Sequence, residues 1–171
     1  MATKQRQKRV DHRTPQERIH DRALGLLAVR WRSHKEMADR LRLAGFEPVL
    51  VDAELRRLED SRLLDDQRFA EEFTLGSVTS RRVGRRAVIV GLRQKGIARE
   101  TIDAVTAGLT DEQEEVRALE LATVRVRRLT NLDRPTAFSR LSDFLMRRGF
   151  DPAIARRVSA QAIGAELDEP E

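Results

Sequence analysis

In the run RLLDDQRFAEEF, Arg62 to Phe73, two carboxylates stand side by side. Asp65 and Asp66 could ligate a metal, work as an acid/base pair, or begin a helix. A two-metal or acid/base site needs carboxylates converging from several elements around a water or a phosphate. Adjacent residues at a helix start point their side chains apart, so the spacing favours capping. An anion there sits at the positive end of a helix that Phe69 and Phe73 anchor by i, i+4 spacing. The histidines add no metal pair: His12 falls in the N-terminal tail, His20 on a helix and His34 beside a cap, and no two share i, i+4 spacing. Neither a phosphate-binding GxxxxGK[ST] loop nor a GxSxG elbow occurs. With no cysteine, a disulfide framework, a thiolate zinc cluster and thiol chemistry are excluded. The expectation is a protein that is not an enzyme and takes no cofactor and no metal.

The arginines have a stronger claim to function. Between Arg81 and Arg99 the chain carries Arg or Lys at seven positions and no acid. On a regular helix over 84–96, Val88, Leu92 and Ile89 form an apolar stripe, leaving Arg85, Arg86, Arg93 and Lys95 mostly toward solvent, with Arg81 and Arg82 extending the patch. A second patch is expected from Arg30 and Arg32, which flank Trp31, and from Arg125, Arg127 and Arg128. Guanidinium suits phosphate and carboxylate equally, so the residues leave both nucleic acid and an acidic protein face open as partner. A solvated helix surface without a partner is the plainer reading of the same charges. Trp31 reads as a core or inter-helix residue rather than a base-stacking platform. With no Tyr and all six Phe at helix-interior positions, DNA contact should be electrostatic and salt-sensitive rather than built on stacking.

The elements that must position these residues read as helices. Of the 171 residues 40% are apolar, 36% charged and only 4% aromatic, a balance of helices rich in Ala, Leu, Arg and Glu. Thr14-Pro15-Gln16-Glu17 is a capping box with Pro at the first helical position; Ser33-His34-Lys35-Glu36 and Thr110-Asp111-Glu112-Gln113 repeat it, and Asp151-Pro152 shortens it. LRLAGFEPVLVDAEL, LRQKGIARETIDAVT and LMRRGFDPAIARRVS align on Gly45, Gly96 and Gly149, about 50 residues apart. In each, a helix ends in Gly, an apolar residue follows (Phe46, Ile97, Phe150), and another helix starts. Glycine closes a helix in the left-handed conformation and the apolar residue packs back on the last turn.

Nine helices in three repeats are therefore expected, over about 15–32, 34–45 and 48–60, then 66–82, 84–96 and 98–109, then 111–131, 135–149 and 152–164. The domain reading is a basic disordered tail (1–14), three-helix repeats at 15–62, 63–109 and 110–165, and an acidic tail (166–171). Units of this size bury little alone, so an all-α, elongated and curved stack of tandem repeats is the expected body. No apolar stretch approaches a membrane span and the first residues lack a signal-peptide core, so a soluble, cytoplasmic and monomeric protein is expected.

The segments ALGLLAVRWRSHKEMADRLRLAGF, LRRLEDSRLLDDQRFAEEF and SRRVGRRAVIVGLRQKGI resemble the RecX family, bacterial regulators of the RecA recombinase. The resemblance covers about residues 18–164. Its most specific parts are Leu64-Asp65-Asp66-x-Arg68-Phe69-Ala70 and the stretch from Gly84 to Gly96-Ile97. The chain departs from the family pattern at Gly91, where an acid is usual, at Met37 in place of Leu, and at Leu63 in place of an aromatic. Gly91 either weakens its helix by roughly 1 kcal/mol or lets another group come close. The resemblance implies tandem three-helix units, no catalysis, and binding along the groove of the RecA nucleoprotein filament with inhibition or modulation of strand exchange and ATPase activity.

A rival reading takes SHKEMADRLRLAGFEPVLVDAELRRLEDSRLLDD as a winged helix-turn-helix of a transcription regulator. It would place Glu47 to Leu58 in the major groove, but offers Glu47, Asp52 and Glu54 there before Arg56 and Arg57. The helical spacing of Asp66 to Leu75, where a wing would be, also argues against it. A helical scaffold for some other acidic partner is a third reading, opposed chiefly by the resemblance.

Overall fold

The computed structural model describes residues 13–167, in which all regular structure is helical: α1 (Pro15–Leu27), α2 (His34–Leu43), α3 (Pro48–Asp60), α4 (Asp66–Thr79), α5 (Arg85–Gln94), α6 (Arg99–Thr106), α7 (Asp111–Val126), α8 (Arg134–Arg147) and α9 (Pro152–Leu167). The basic residues before Arg13, His12 and the last acidic residues lie outside the described range. The chain divides into two compact units, 1–65 and 66–171.

The first unit is built by its caps. Thr14 accepts from the Glu17 N–H while the Glu17 carboxylate accepts from Thr14 N, closing the capping box of α1. Ser33 caps α2 by accepting from Glu36 N, and α3 starts on Pro48 with no side-chain cap at Glu47. Ile19, Ala23 and Leu26 of α1, Met37 and Leu41 of α2, and Val51, Leu55 and Leu58 of α3 form one core, which Leu64 closes. Met37 is fully buried, where the flexible thioether fills a Leu-sized space. Helix α1 stops at Leu27 rather than running to residue 32. Ser33 is extended to cap α2 (φ −73°, ψ 161°), which interrupts a continuous helix through this stretch.

In the second unit, α4, α5 and α6 pack on one another, as do α7, α8 and α9. Phe69, Ala70, Val88, Leu92, Ile97 and Ile102 are buried in the first trio. In the second, Ala118 and Ala122 of α7 share a core with Ala155, Val158 and Ala162 of α9, completed by Leu141 and Leu145 of α8 and by Phe150 just after it. Gly45, Gly96 and Gly149 all have positive φ (87°, 77° and 84°), as their place at the end of a helix requires. Helices α4 and α7 end earlier than their periodicity suggests, at Thr79 and Val126, and α9 runs on to Leu167.

Candidate interaction surface

Asp65 immediately precedes α4 and Asp66 is its first residue, the placement of a capping pair. Behind them Phe69 is buried and stacks on Phe73 with ring centroids 6.0 Å apart. No group of three or more His, Asp or Glu side chains is placed to hold a metal among the described residues. His20 Nδ1 lies 2.7 Å from Glu54 Oε1, joining α1 to α3, and His34 Nε2 lies 3.5 Å from Glu59 Oε1. Both are inter-helix contacts within the first unit. Glu54 is thus buried against His20, and residues 66–79 form α4 where the winged-helix reading needs a strand-built wing.

The basic residues separate into those the fold uses and those it leaves unpaired. Arg30 holds Glu36 through two hydrogen bonds of 2.9 and 3.0 Å and also donates to Trp31 O. That contact with Glu36 raises the Arg30 pKa. Arg32 is only 7% exposed, and its Nε donates to Leu26 O, satisfying a carbonyl at the end of α1. Burial pushes the Arg32 pKa down. Arg32 therefore does not belong to an exposed patch, and the expectation that placed it there is corrected. It packs inward because α1 ends early and leaves a carbonyl to satisfy. Trp31 is half-buried between them.

In the second unit, Arg85 is also internal: its guanidinium donates to Leu109 O and lies 3.9 Å from Asp111. It is half-buried rather than mostly solvent-facing. Arg86 is exposed but pairs with Asp151 at 3.1 Å. Arg93 is exposed and Lys95 half-buried, toward the other end of α5. Val88 and Leu92 form the buried stripe as expected, with Ile89 half-buried beside them. Gly91 sits under the Phe73 ring, where a Cβ would come within 2.7 Å of it. The close approach that Gly91 permits is that of an aromatic edge, and Arg81 lies over the same ring, 5.4 Å from its centroid.

The turn from α4 to α5 brings Arg82 of the first predicted patch beside Arg125 and Arg128 of the second. Arg81 N and Val83 N donate back to Gly76 O and Ser77 O, and Arg148 donates to Arg81 O at 2.5 Å. Held this way, Arg82 takes a left-handed backbone, φ 51°. Its side chain borders a groove of about 250 Å³ formed with Leu121, Val124, Arg125 and Arg128 of the α7 end and Phe144 of α8. Arg125 and Arg148 both stand over the Phe144 ring, at 5.2 and 5.7 Å from its centroid. Among the described residues, Arg82, Arg125, Arg127 and Arg128 make no ion pair with an acid. The signal that sequence reasoning missed is Phe144: its i+4 relation to Arg148 and its ring face gather arginines that lie far apart in the chain.

A buried carboxylate fixes the geometry behind this surface. Glu114 of α7 is 2% exposed, and its Oε1 accepts from Asp151 N at 3.1 Å and from Arg85 N at 3.4 Å. It thus caps two helix starts from a third element, including α5, whose own N-cap residue Gly84 has no side chain to do so.

Comparison with known proteins places these features in a family. Residues 20–58 match the first three-helix domain of RecX and residues 65–105 the second. A regulatory protein RecX of Amycolatopsis mediterranei is 37% identical over 145 residues, covering 82% of each chain. That of Streptomyces lividans is 32% identical over 159 residues, 93% of this chain and 85% of the relative. The crystal structure of RecX from Lactobacillus salivarius superposes with a TM-score of 0.75 at 20% identity, over 86% of this chain and 96% of that one. A second crystal structure of regulatory protein RecX superposes with a TM-score of 0.77 at 23% identity. The structures carry the helical fold and the sequence relatives carry the kinship: this chain belongs to the RecX family of regulatory proteins.

Proposed function

We propose that this protein regulates the RecA recombinase without catalysis, by binding its nucleoprotein filament and inhibiting or modulating strand exchange and ATPase activity. Kinship with proteins named as RecX regulators supports the reading, and the observation that carries it is the gathering of unpaired arginines at the α4–α5 turn and the end of α7. Cations left without a carboxylate partner keep their charge available for an anionic surface such as a DNA-bound filament. Arg81, Arg82, Arg125 and Arg128 are the residues assigned to this face, with Arg93 and Arg127 beyond them. Arg30, Arg32 and Arg85 are assigned to holding the fold.

The test is RecA strand exchange and ATPase on single-stranded DNA, titrated with this protein at two salt concentrations. Inhibition that weakens at higher salt is expected, together with loss of inhibition when Arg81, Arg82, Arg125 and Arg128 are changed to Glu. Undiminished inhibition by that variant would remove the basic face from the mechanism. No effect of the wild-type protein on RecA would remove the function itself. A winged-helix regulator has less support: Glu54 is committed to the core and α4 occupies the wing position. A sequence-specific footprint on duplex DNA without RecA would revive it.

A further inference from the structure

The groove bordered by Arg82, Val124, Arg125, Arg128 and Phe144 is not only basic. Its floor is apolar: Val124 is 61% exposed, Leu121 and Phe144 are half-buried, and no acid lines it. A phosphodiester backbone has nothing to bury against such a floor. Its contacts come from cations spread along the strand, each meeting one phosphate. A short stretch of polypeptide carrying an apolar side chain between carboxylates uses both parts, with the apolar group on Val124 and Leu121 and the carboxylates on the guanidiniums. One guanidinium is also pre-placed: Arg125 stacks over Phe144, which restricts its rotamers before any partner arrives. The backbone of Arg82 is likewise fixed by the hydrogen bonds that hold its turn.

The geometry points to this groove as the docking site for an acidic peptide segment of the protein partner, one with an apolar side chain flanked by Asp or Glu, rather than for DNA. The assignment rests on the proposed function only for the identity of the partner. The peptide chemistry follows from the groove itself.

Two measurements test it. A photo-cross-linker placed at position 124 of the full-length protein is activated in the presence of RecA filaments on single-stranded DNA, and the adduct is identified by mass. The expected adduct is a RecA peptide with Asp or Glu within a few residues of the linked position. An adduct to DNA, to this chain itself or to a RecA segment without acids overturns the assignment, as does no adduct from a protein that co-sediments with the filament. The second measurement needs no RecA. A labelled synthetic decapeptide of Asp and Glu around a central Leu-Phe, its Ala-Ala counterpart, and a labelled thymidine 20-mer are titrated with wild-type protein, Val124→Ser and Arg128→Ala. The Leu-Phe peptide should bind more tightly than the Ala-Ala one and lose about tenfold in affinity in each variant, while Val124→Ser leaves the 20-mer unchanged. Equal binding of both peptides, or loss of only the 20-mer in Val124→Ser, overturns the assignment. Binding of the Leu-Phe peptide by a protein that leaves RecA unaffected would overturn the proposed function and keep the groove.

Discussion

Gly84 and Gly149 meet backbone to backbone. Gly84 N donates to Arg148 O at 3.0 Å and Arg86 N donates to Gly149 O at 3.1 Å. A Cβ on Gly84 would stand 2.3 Å from Gly149 O, and one on Gly149 would stand 2.4 Å from the Cβ of Ala87. This crossing joins the start of α5 to the end of α8, and so sets Arg82 beside Phe144.

The crossing separates two glycines that look alike as helix punctuation. Gly45 has φ 87° with open space around its Cβ position, so Gly45→Ala should cost only the backbone strain, about 1–2 kcal/mol. Gly84 has an ordinary extended backbone, φ −77°, yet its obstruction is main chain that cannot swing aside. Gly84→Ala should cost about 3 kcal/mol or more. Urea unfolding of both variants checks the order; equal losses would contradict the crossing.

Glu114 ties the same junction from inside. Glu114→Ala leaves the N–H groups of Asp151 and Arg85 without their acceptor and opens a cavity, an expected loss of about 2–4 kcal/mol. Glu114→Gln keeps an acceptor oxygen and should lose less. If the Ala variant melts with the wild type, the carboxylate does not hold the junction.

Arg82 pairs backbone strain with exposure. Its left-handed φ of 51° costs about 1–2 kcal/mol that glycine would not incur. Arg82→Gly is expected to be as stable as wild type or more so, and to inhibit RecA less. Arg62, with φ 55° in the first unit, is the control. Arg62→Gly should show the same thermal behaviour with inhibition intact, as measured by melting and by ATPase titration. A fall in stability for Arg82→Gly would show that the side chain, not the turn, supports the fold.

Acid should weaken the protein through its caps. Glu17 is held below the usual carboxylate range by the Thr14 backbone N–H and then by the Thr14 hydroxyl. Asp133 is lowered by Thr136, and Glu115 by the Arg157 guanidinium. A carboxylate with a lowered folded pKa binds its proton more readily in the unfolded chain. Its stabilisation is complete above the unfolded value and disappears as pH falls through the folded one. The melting temperature should therefore hold from neutral pH to about pH 5 and fall below about pH 4.5, the ordinary carboxylate value. Thr14→Val should shrink the part of this acid loss that belongs to the first unit. Glu17 and Asp133 are exposed and Glu115 is only half-buried, so the effect should diminish in high salt. An acid limb unchanged in Thr14→Val would remove Glu17 from the account.

Local chemistry made most of the helical framework legible from the residues. Thr14, Ser33 and Thr110 each accept from the N–H three residues on, as their spacing requires. Gly45, Gly96 and Gly149 close helices because position in the turn, not tertiary contact, demands positive φ. Helix ends were less legible where periodicity outruns the helix, as after Leu27, because the next cap competes for the same residues.

The sequence by itself determined which residues carry charge, where helices begin, and that Asp65 and Asp66 stand at a helix start rather than in a cluster of converging carboxylates. Only the tertiary structure decided which arginines are available. Arg30 and Arg32 are spent on Glu36 and Leu26 O and Arg85 on Leu109 O, whereas Arg82, Arg125 and Arg128 meet around Phe144 without an acid. The physical reason is that a cap or helix closure depends on neighbours within four residues. Whether a guanidinium is neutralised depends on which carbonyls and carboxylates the fold brings to it from distant parts of the chain.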